Sequence, residues 1–194
     1  MHLTQATPED FSPTIAELIW SEDPALMALE FQTLENWTRV LAREWPEVGT
    51  SNCHETATLA IADGTIVGHM NAFHSDEIPA RFGASEALHT PNLPDTTLAA
   101  IDDLFAVPAP NAFFILDIAV APSQQGTGLG RQFIAQAITQ ARAANCTSVC
   151  LDVYVGNPAL AFYQHLGFAL KATSAPNELQ HHGVAPYHHM SLAL

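Results

Sequence analysis

The chain has 194 residues, 48% of them hydrophobic, enough to bury a full core without disulfide or metal staples. Twenty acidic residues face only six basic ones, and the resulting net charge of −14 argues against nucleic acid and anionic membrane surfaces as partners, since both need clustered lysine and arginine. No run approaches the roughly 18 apolar residues of a membrane helix, and the N-terminal stretch 1–10 has neither the basic start nor the apolar core expected of a secretion signal.

In chain order, residues 2–6 read as a short opening strand. Thr7-Pro8 and Ser12-Pro13 look like helix starts, each a capping hydroxyl followed by a proline whose missing N–H costs nothing there. Phe11, Ile15, Leu18 and Ile19 then keep helical spacing. A second helix is expected from Asp23-Pro24 to about Glu44, with Leu26, Leu29, Leu34, Trp37, Val40 and Leu41 as its apolar stripe. Strands at 55–61 and 65–73 flank Asp63-Gly64, a strong signal for a tight hairpin. The stretch 75–111, rich in proline, aspartate and alanine, reads as an insert with one helix near 97–105; a connection this long is usually functional or mobile.

The second half is better defined. Residues 113–120 form an apolar run broken only by Asp117, as in a buried central strand. A loop at 121–127 precedes a helix from about 128 to 144, in which Phe133, Ile134, Ala137, Ile138 and Ala141 recur at helical spacing. Another buried strand is expected at 148–155. Asn157-Pro158 opens a short helix ended by Gly167, and strands at 168–172 and 187–194 close the chain. The order predicts one α/β (α+β) domain over 1–194, a mixed sheet with helices on its faces.

Gln125-Gly126-Thr127-Gly128-Leu129-Gly130-Arg131 lies between a buried strand and an amphipathic helix. Its glycines let the chain bend sharply and let an anion approach the amides without a Cβ in the way. The helix N-terminus adds free N–H groups and partial positive charge, so this turn can cradle a pyrophosphate with few basic side chains. The nucleoside-triphosphate loop requires Gly-Lys-Ser/Thr, and no lysine is present here. The dinucleotide pattern G-x-G-x-x-G also fails, because Arg131 or Phe133 falls in its last place.

The spacing that fits is Q/R-x-x-G-x-G/A, filled by Gln125, Gly128 and Gly130. It resembles the acetyl-CoA loop of the GCN5-related N-acetyltransferase (GNAT) superfamily. The lead-in Ile118-Ala119-Val120-Ala121-Pro122 is similar to that family's strand motif. The segment from Asn157 to Phe168 is similar to its N-x-x-A-x-x-(L/F)-Y-x-x-x-G-F pattern, at the right distance downstream. The resemblance implies an acyl-CoA N-acyltransferase fold, largely antiparallel and splayed between its fourth and fifth strands. It implies acetyl transfer from acetyl-CoA to a primary amine by direct attack, with no metal; the alternative is a non-catalytic acyl-CoA sensor. A small amine or a peptide N-terminus would be the acceptor, and a homodimer is compatible with the sequence.

By the same resemblance, the backbone of Ile118, Ala119 and Val120 would pair with pantetheine, and the Val120 amide would polarise the thioester carbonyl. Gly126, Thr127, Gly128, Leu129, Gly130 and Arg131 would hold pyrophosphate, and Asn157 would bond the pantetheine arm. Tyr163 would be the general acid toward the departing sulfur, or else an aromatic anchor for its helix. The family often carries a glutamate three residues before the position of Asp117, where this chain has Phe114. Asp117 is the nearest carboxylate and a candidate base, or else a structural one. Deprotonation through water with His74 or Glu77 stays open.

Cys53, Cys146 and Cys150 form no closely spaced pair, which points to reduced thiols in a cytoplasmic protein. His181, His182, His188 and His189 suggest a metal site only weakly, since adjacent residues of a strand face opposite ways. Tyr187 or His189 is expected in a wall of the substrate pocket, or else on a plain surface strand. The insert carries Asp76, Glu77, Glu86, Asp95, Asp102 and Asp103 against Arg81 alone. It is either a solvated loop or an acidic lip favouring polycationic amines.

Overall fold

Asp63 and Gly64 both take positive φ, 49° and 75°, and close a two-residue hairpin between β2 (Ala57–Ala62) and β3 (Thr65–His74). That turn twists in the same sense as the strands it joins. The structure is a computed structural model and describes residues 1–89 and 91–194; Thr90, inside the 75–111 insert, lies outside the described residues. β1 (His2–Gln5) pairs with β2, and β4 (Ala112–Val120) lies on the other side of β3. β5 (Ser148–Tyr154), β6 (Ala169–Thr173) and β7 (Tyr187–Ala193) complete a seven-stranded sheet in the order β1-β2-β3-β4-β5-β7-β6. β4 and β5 pair in parallel, and every other pairing among the described residues is antiparallel.

Helices cover both faces. On one, α1 (Pro13–Trp20) and α3 (Leu34–Glu44) bury Ile15, Ile19, Trp37 and Leu41 over Ala57 and Leu59. On the other, α6 (Leu129–Ala143) and α7 (Leu160–His165) bury Phe133, Ala137 and Tyr163 against Met70, Ile115 and Val149. Each large side chain so buried contributes about 1.5–3 kcal/mol.

The single helix expected over 24–44 is two. α2 (Pro24–Phe31) stops at Gln32, whose φ is 66°, and Thr33 caps α3 by accepting the Asn36 amide at 3.2 Å. After the break α3 covers β2, while α2 serves two clusters: Met27 and Phe31 pack with α3, and Leu26 and Leu29 join Leu104, Leu179 and Tyr187. The Thr7-Pro8 start yields only a three-residue 3₁₀ turn, because Ser12-Pro13 restarts the chain as α1. The insert holds two helices, α4 (Ile78–Leu88) and α5 (Asp95–Asp102), where one was expected. α4 has little apolar periodicity. It is fastened instead by Arg81, buried to 7% exposure, which donates to Glu77 at 2.8 Å and to the Thr50 carbonyl at 3.1 Å.

The expected splay is present. β4 and β5 stay in register from Ala112↔Ser148 to Ile115↔Leu151, and there the pairing ends. At the next residue β4 bulges: Asp117 faces Asn71 and Ile115 faces Ala72, leaving Leu116 unmatched. A bulge bends and twists its strand. β4 therefore turns away from β5, and the β5-side edge of residues 116–120 meets no strand.

Candidate active site

The open edge of β4 leads into the glycine turn. Gln125 anchors this turn by donating its Nε2 to the Val120 carbonyl at 3.1 Å. Gly126 and Gly128 have φ of 75° and 90°, and a Cβ on either would meet nothing within 4 Å. Glycine is required there by conformation, and the space above the turn is free. Gly130 differs: its Cβ would stand 3.2 Å from the Phe162 ring, so its smallness brings α6 against α7. The first hydrogen bond of α6 runs from Gln132 to the Gly128 carbonyl, so the amides of Leu129, Gly130 and Arg131 point out of the helix end unmatched. Asn157 Oδ1 accepts the Ala159 amide at 2.8 Å, a local turn in which its Nδ2 makes no hydrogen bond among the described residues. The donors, the dipole and the shape fit a diphosphate.

Near the bulge the structure gathers four ionisable groups, Asp117, His69, Glu22 and Tyr163. Asp117 is 7% exposed and stands 2.6 Å from Nδ1 of the fully buried His69, a close approach without hydrogen-bond alignment. Glu22 reaches in from the α1–α2 turn, and its Oε1 is buried without a partner. Burial first, then the charge of Asp117, hold the Glu22 carboxyl well above the usual carboxylate range; the Ile118 backbone opposes the rise. Tyr163 projects from α7, its ring between Phe162 and Phe168 at 5.3 and 5.8 Å. Burial, and secondarily Glu22, push its phenol above the ordinary tyrosine range, so at neutral pH it keeps its proton. Sequence reasoning missed Glu22. Lying in Ser21-Glu22-Asp23-Pro24, it carries only the signature of a turn between helices.

A cavity of about 300 Å³ opens between the α1–α2 turn, the end of β5 and the segment before β7, lined by Asp23, Tyr154, Val155, Gly183 and Ala185. Asp23 is held rigidly. Its Oδ1 accepts the Ala25 and Leu26 amides at 3.1 and 3.0 Å, and its Oδ2 accepts the Tyr187 hydroxyl. Tyr187 is thus tied to a cavity wall. His189, two residues on and on the same face of β7, lies outside the cavity lining, 2.6 Å from Asp152 Oδ1. Burial, then Asp23 and Asp102, raise the Glu30 carboxyl to about 7.

Other candidates lie elsewhere. Phe114, in place of the family's glutamate, is buried against Phe73 at 5.9 Å. His74 pairs with Phe113 at the opposite end of β4 from the splay and contacts Asn111 Oδ1 at 3.1 Å, and Glu77 is bound to Arg81. Four residues of strand, roughly 13 Å, separate them from Asp117. Of the insert's carboxylates, Asp102 reaches the neighbourhood of Glu30 and Asp23. His188 Nδ1 meets Thr173 Oγ1 at 2.8 Å, on the face opposite His189. No group of three or more His, Cys, Asp or Glu able to hold a metal ion is gathered among the described residues. The three cysteines are free, and burial raises Cys150 to about 12.

A bulged, half-unpaired β4 that runs into a glycine turn at the head of a long helix defines the acyl-CoA N-acyltransferase architecture. The family model described as "Acetyltransferase (GNAT) family" matches residues 13–168, and the chain belongs to that family. Among solved structures it is similar over 100% of its length to an acetyltransferase (99% of that chain, 18% identity, TM-score 0.71). It is similar over 99% to an N-acetyltransferase from Staphylococcus aureus Mu50 (100% of that chain, 16% identity, TM-score 0.71). A Bacillus subtilis acetyltransferase in complex with CoA aligns over 100% of this chain and 98% of its own, with 15% identity and a TM-score of 0.60. No curated protein matches the sequence. The chain is an acyltransferase of this family.

Proposed function

We propose that the protein transfers an acetyl group from acetyl-CoA to a primary amine, with Glu22 as general base and Tyr163 as general acid. The observation that carries this reading is a buried, raised carboxyl beside the unpaired end of β4, one oxygen of which has no partner, within electrostatic reach of a protonated phenol. The amides of Gly126, Thr127, Gly128, Leu129 and Gly130, with Arg131, hold the pyrophosphate. The backbone of Ile118, Ala119 and Val120 takes the pantetheine as an added strand, and Asn157 steadies it from α7. When bound, acetyl-CoA supplies an acyl group on a thioester and a sulfur that leaves as thiolate.

Glu22 removes a proton from the incoming ammonium, so that nitrogen can bond the acyl carbon. A carboxyl raised toward neutrality suits that step better than an ordinary one. The Val120 amide stabilises charge growing on the carbonyl oxygen. As the carbon–sulfur bond breaks, Tyr163 gives its proton to the sulfur. Asp117, turned toward His69, acts through Glu22 by keeping its carboxyl basic.

Free-thiol release with a panel of amines, read together with the mass of the product, tests this. Thiol release that depends on the amine, with an acetylated product, is the expected result. Calorimetric binding of acetyl-CoA with no turnover of any amine would establish the sensor reading instead.

A further inference from the structure

An ammonium that becomes an amide loses two protons. Glu22 takes the first before attack; the second leaves the same nitrogen once the new carbon–nitrogen bond has put positive charge on it. Glu22, buried and already protonated, cannot take both at once, and Tyr163 only gives. A second acceptor stands where the sheet opens. Leu151 is the last residue of β5 paired with β4, so Asp152 is the first whose β4-side edge meets no strand. Its other edge pairs with His189 of β7, whose Nδ1 stands 2.6 Å from Asp152 Oδ1. The Asp152 side chain is 10% exposed, and its Oδ2 is buried without a partner. A buried carboxylate with a purely structural role would have both oxygens matched.

Asp152 also lies under the turn that carries Glu22. α1 packs on β3 and β4, and Asp23, one residue after Glu22, accepts the Tyr187 hydroxyl of β7. β5 runs between β4 and β7, so the α1–α2 turn crosses it. Asp152 and His189 share a face with Tyr154 and Tyr187, the next pair but one along the ladder, and that is the face the turn covers. Resting on the reading above, we propose that Asp152 is a second general base, taking the remaining proton from the acceptor nitrogen, and that His189 is the positioning residue that holds it. The N–H bond breaks toward Asp152 Oδ2 and its electron pair stays on nitrogen as the carbon–sulfur bond breaks, while sulfur receives the Tyr163 proton. Of the two protons gathered by Glu22 and Asp152, one restores the phenol and one goes to solvent. With its proton on Nδ1 the imidazole donates to Oδ1, and the Ala106 amide, 3.3 Å from the same nitrogen, steadies the ring. Asp152 is faced by His189 from β7, by Cys150 from its own strand, by Asp117 across the opening from β4, and by Glu22 and Asp23 from the turn above. Burial, then Asp152, keep the Cys150 thiol protonated, raised to about 12. Burial lifts the Asp152 carboxyl, and the hydrogen bond and attraction of His189 pull it back, which suits a group that must both take and release a proton.

The test follows amine-dependent thiol release by the full chain with acetyl-CoA as a function of pH. Asp152→Asn is expected to lower kcat about 10²-fold, with calorimetric affinity for acetyl-CoA and Tm close to wild type. In wild type log kcat should rise with pH in two steps, the lower one from Asp152, and Asp152→Asn should lose that step. His189→Gln, the second variant should the first fold poorly, takes away the imidazole that pulls the carboxyl down, so the lower step should move to higher pH. An unchanged kcat and pH profile in Asp152→Asn, or a fall in Tm alone, overturns the inference while acetyl transfer by Glu22 and Tyr163 stands. An unmoved step in His189→Gln overturns the positioning role of His189. Wild type that binds acetyl-CoA and acetylates no amine sinks the transfer reading itself, and the role of Asp152 with it.

Discussion

A carboxylate that enters a dry cleft loses its hydration, and a second carboxylate beside it adds repulsion, so the proton is held until higher pH. Glu22 is in that position, with Asp117 as its neighbour. kcat/KM is therefore expected to rise with pH along a limb set by Glu22. Glu22→Gln should abolish the limb and lower turnover by about 10²- to 10⁴-fold. Asp117→Asn removes the second cause of the elevation and should move the limb to lower pH; an unmoved limb in a pH–rate profile would release Asp117 from that role. Tyr163→Phe keeps the ring between Phe162 and Phe168 while deleting the proton donor. Its kcat should fall about 10²-fold with calorimetric affinity for acetyl-CoA unchanged, and unchanged turnover would reduce Tyr163 to an anchor. Of these residues, Asp117 and Tyr163 were visible in the sequence, one as the only charge in an apolar run, the other within a motif. Glu22 was not, because its role depends on a neighbour 95 positions away that only folding brings close.

At the scale of elements, the site is built by two irregularities. The unmatched Leu116 turns β4 from β5 and frees an edge, and two glycines with positive φ turn the chain from that edge into α6. A Cβ on Gly128 has space and no comfortable conformation. Gly128→Ala is thus expected to cost about 1–2 kcal/mol of stability and to weaken coenzyme binding, measured by denaturant unfolding and by calorimetry. The glycine turn was legible because it needs a specific residue type at each bend, and so was the Asp63-Gly64 hairpin. The division of 24–44 was not. Its apolar residues keep helical spacing on both sides of Gln32, and the positive φ of Gln32 lets Leu26 and Leu29 of α2 reach a second cluster that α3 does not enter. α4 was illegible for the opposite reason, being held by the polar contacts of Arg81 to Glu77, Glu55 and Thr50 rather than by periodic apolar residues.

At the scale of the whole molecule, the excess of acid over base has a stability cost that pH should reveal. Glu30 has a folded value of about 7, above its ordinary value of 4.5, with Asp23, Asp102 and Tyr187 facing it from α2, α5 and β7. A raised carboxyl binds its proton more tightly in the folded chain. Its contribution is fully favourable below pH 4.5, is lost as pH rises toward 7, and is level beyond. Glu30→Gln should accordingly stabilise the protein by up to about 3 kcal/mol at pH 8 and hardly at pH 4.5, as read from urea unfolding at the two values. The amino-acid sequence by itself determined the order of strands and helices in the second half, the glycine turn and the family, since these follow from local periodicity and from residues with special backbone freedom. Tertiary structure alone decided which acids face one another, Glu22 with Asp117 and Glu30 with Asp23 and Asp102. The electrostatics of Glu22, Asp23, Glu30, Asp102 and Asp117 depend on desolvation and mutual distance, and neither exists until α1, α2, α5 and β4 have packed.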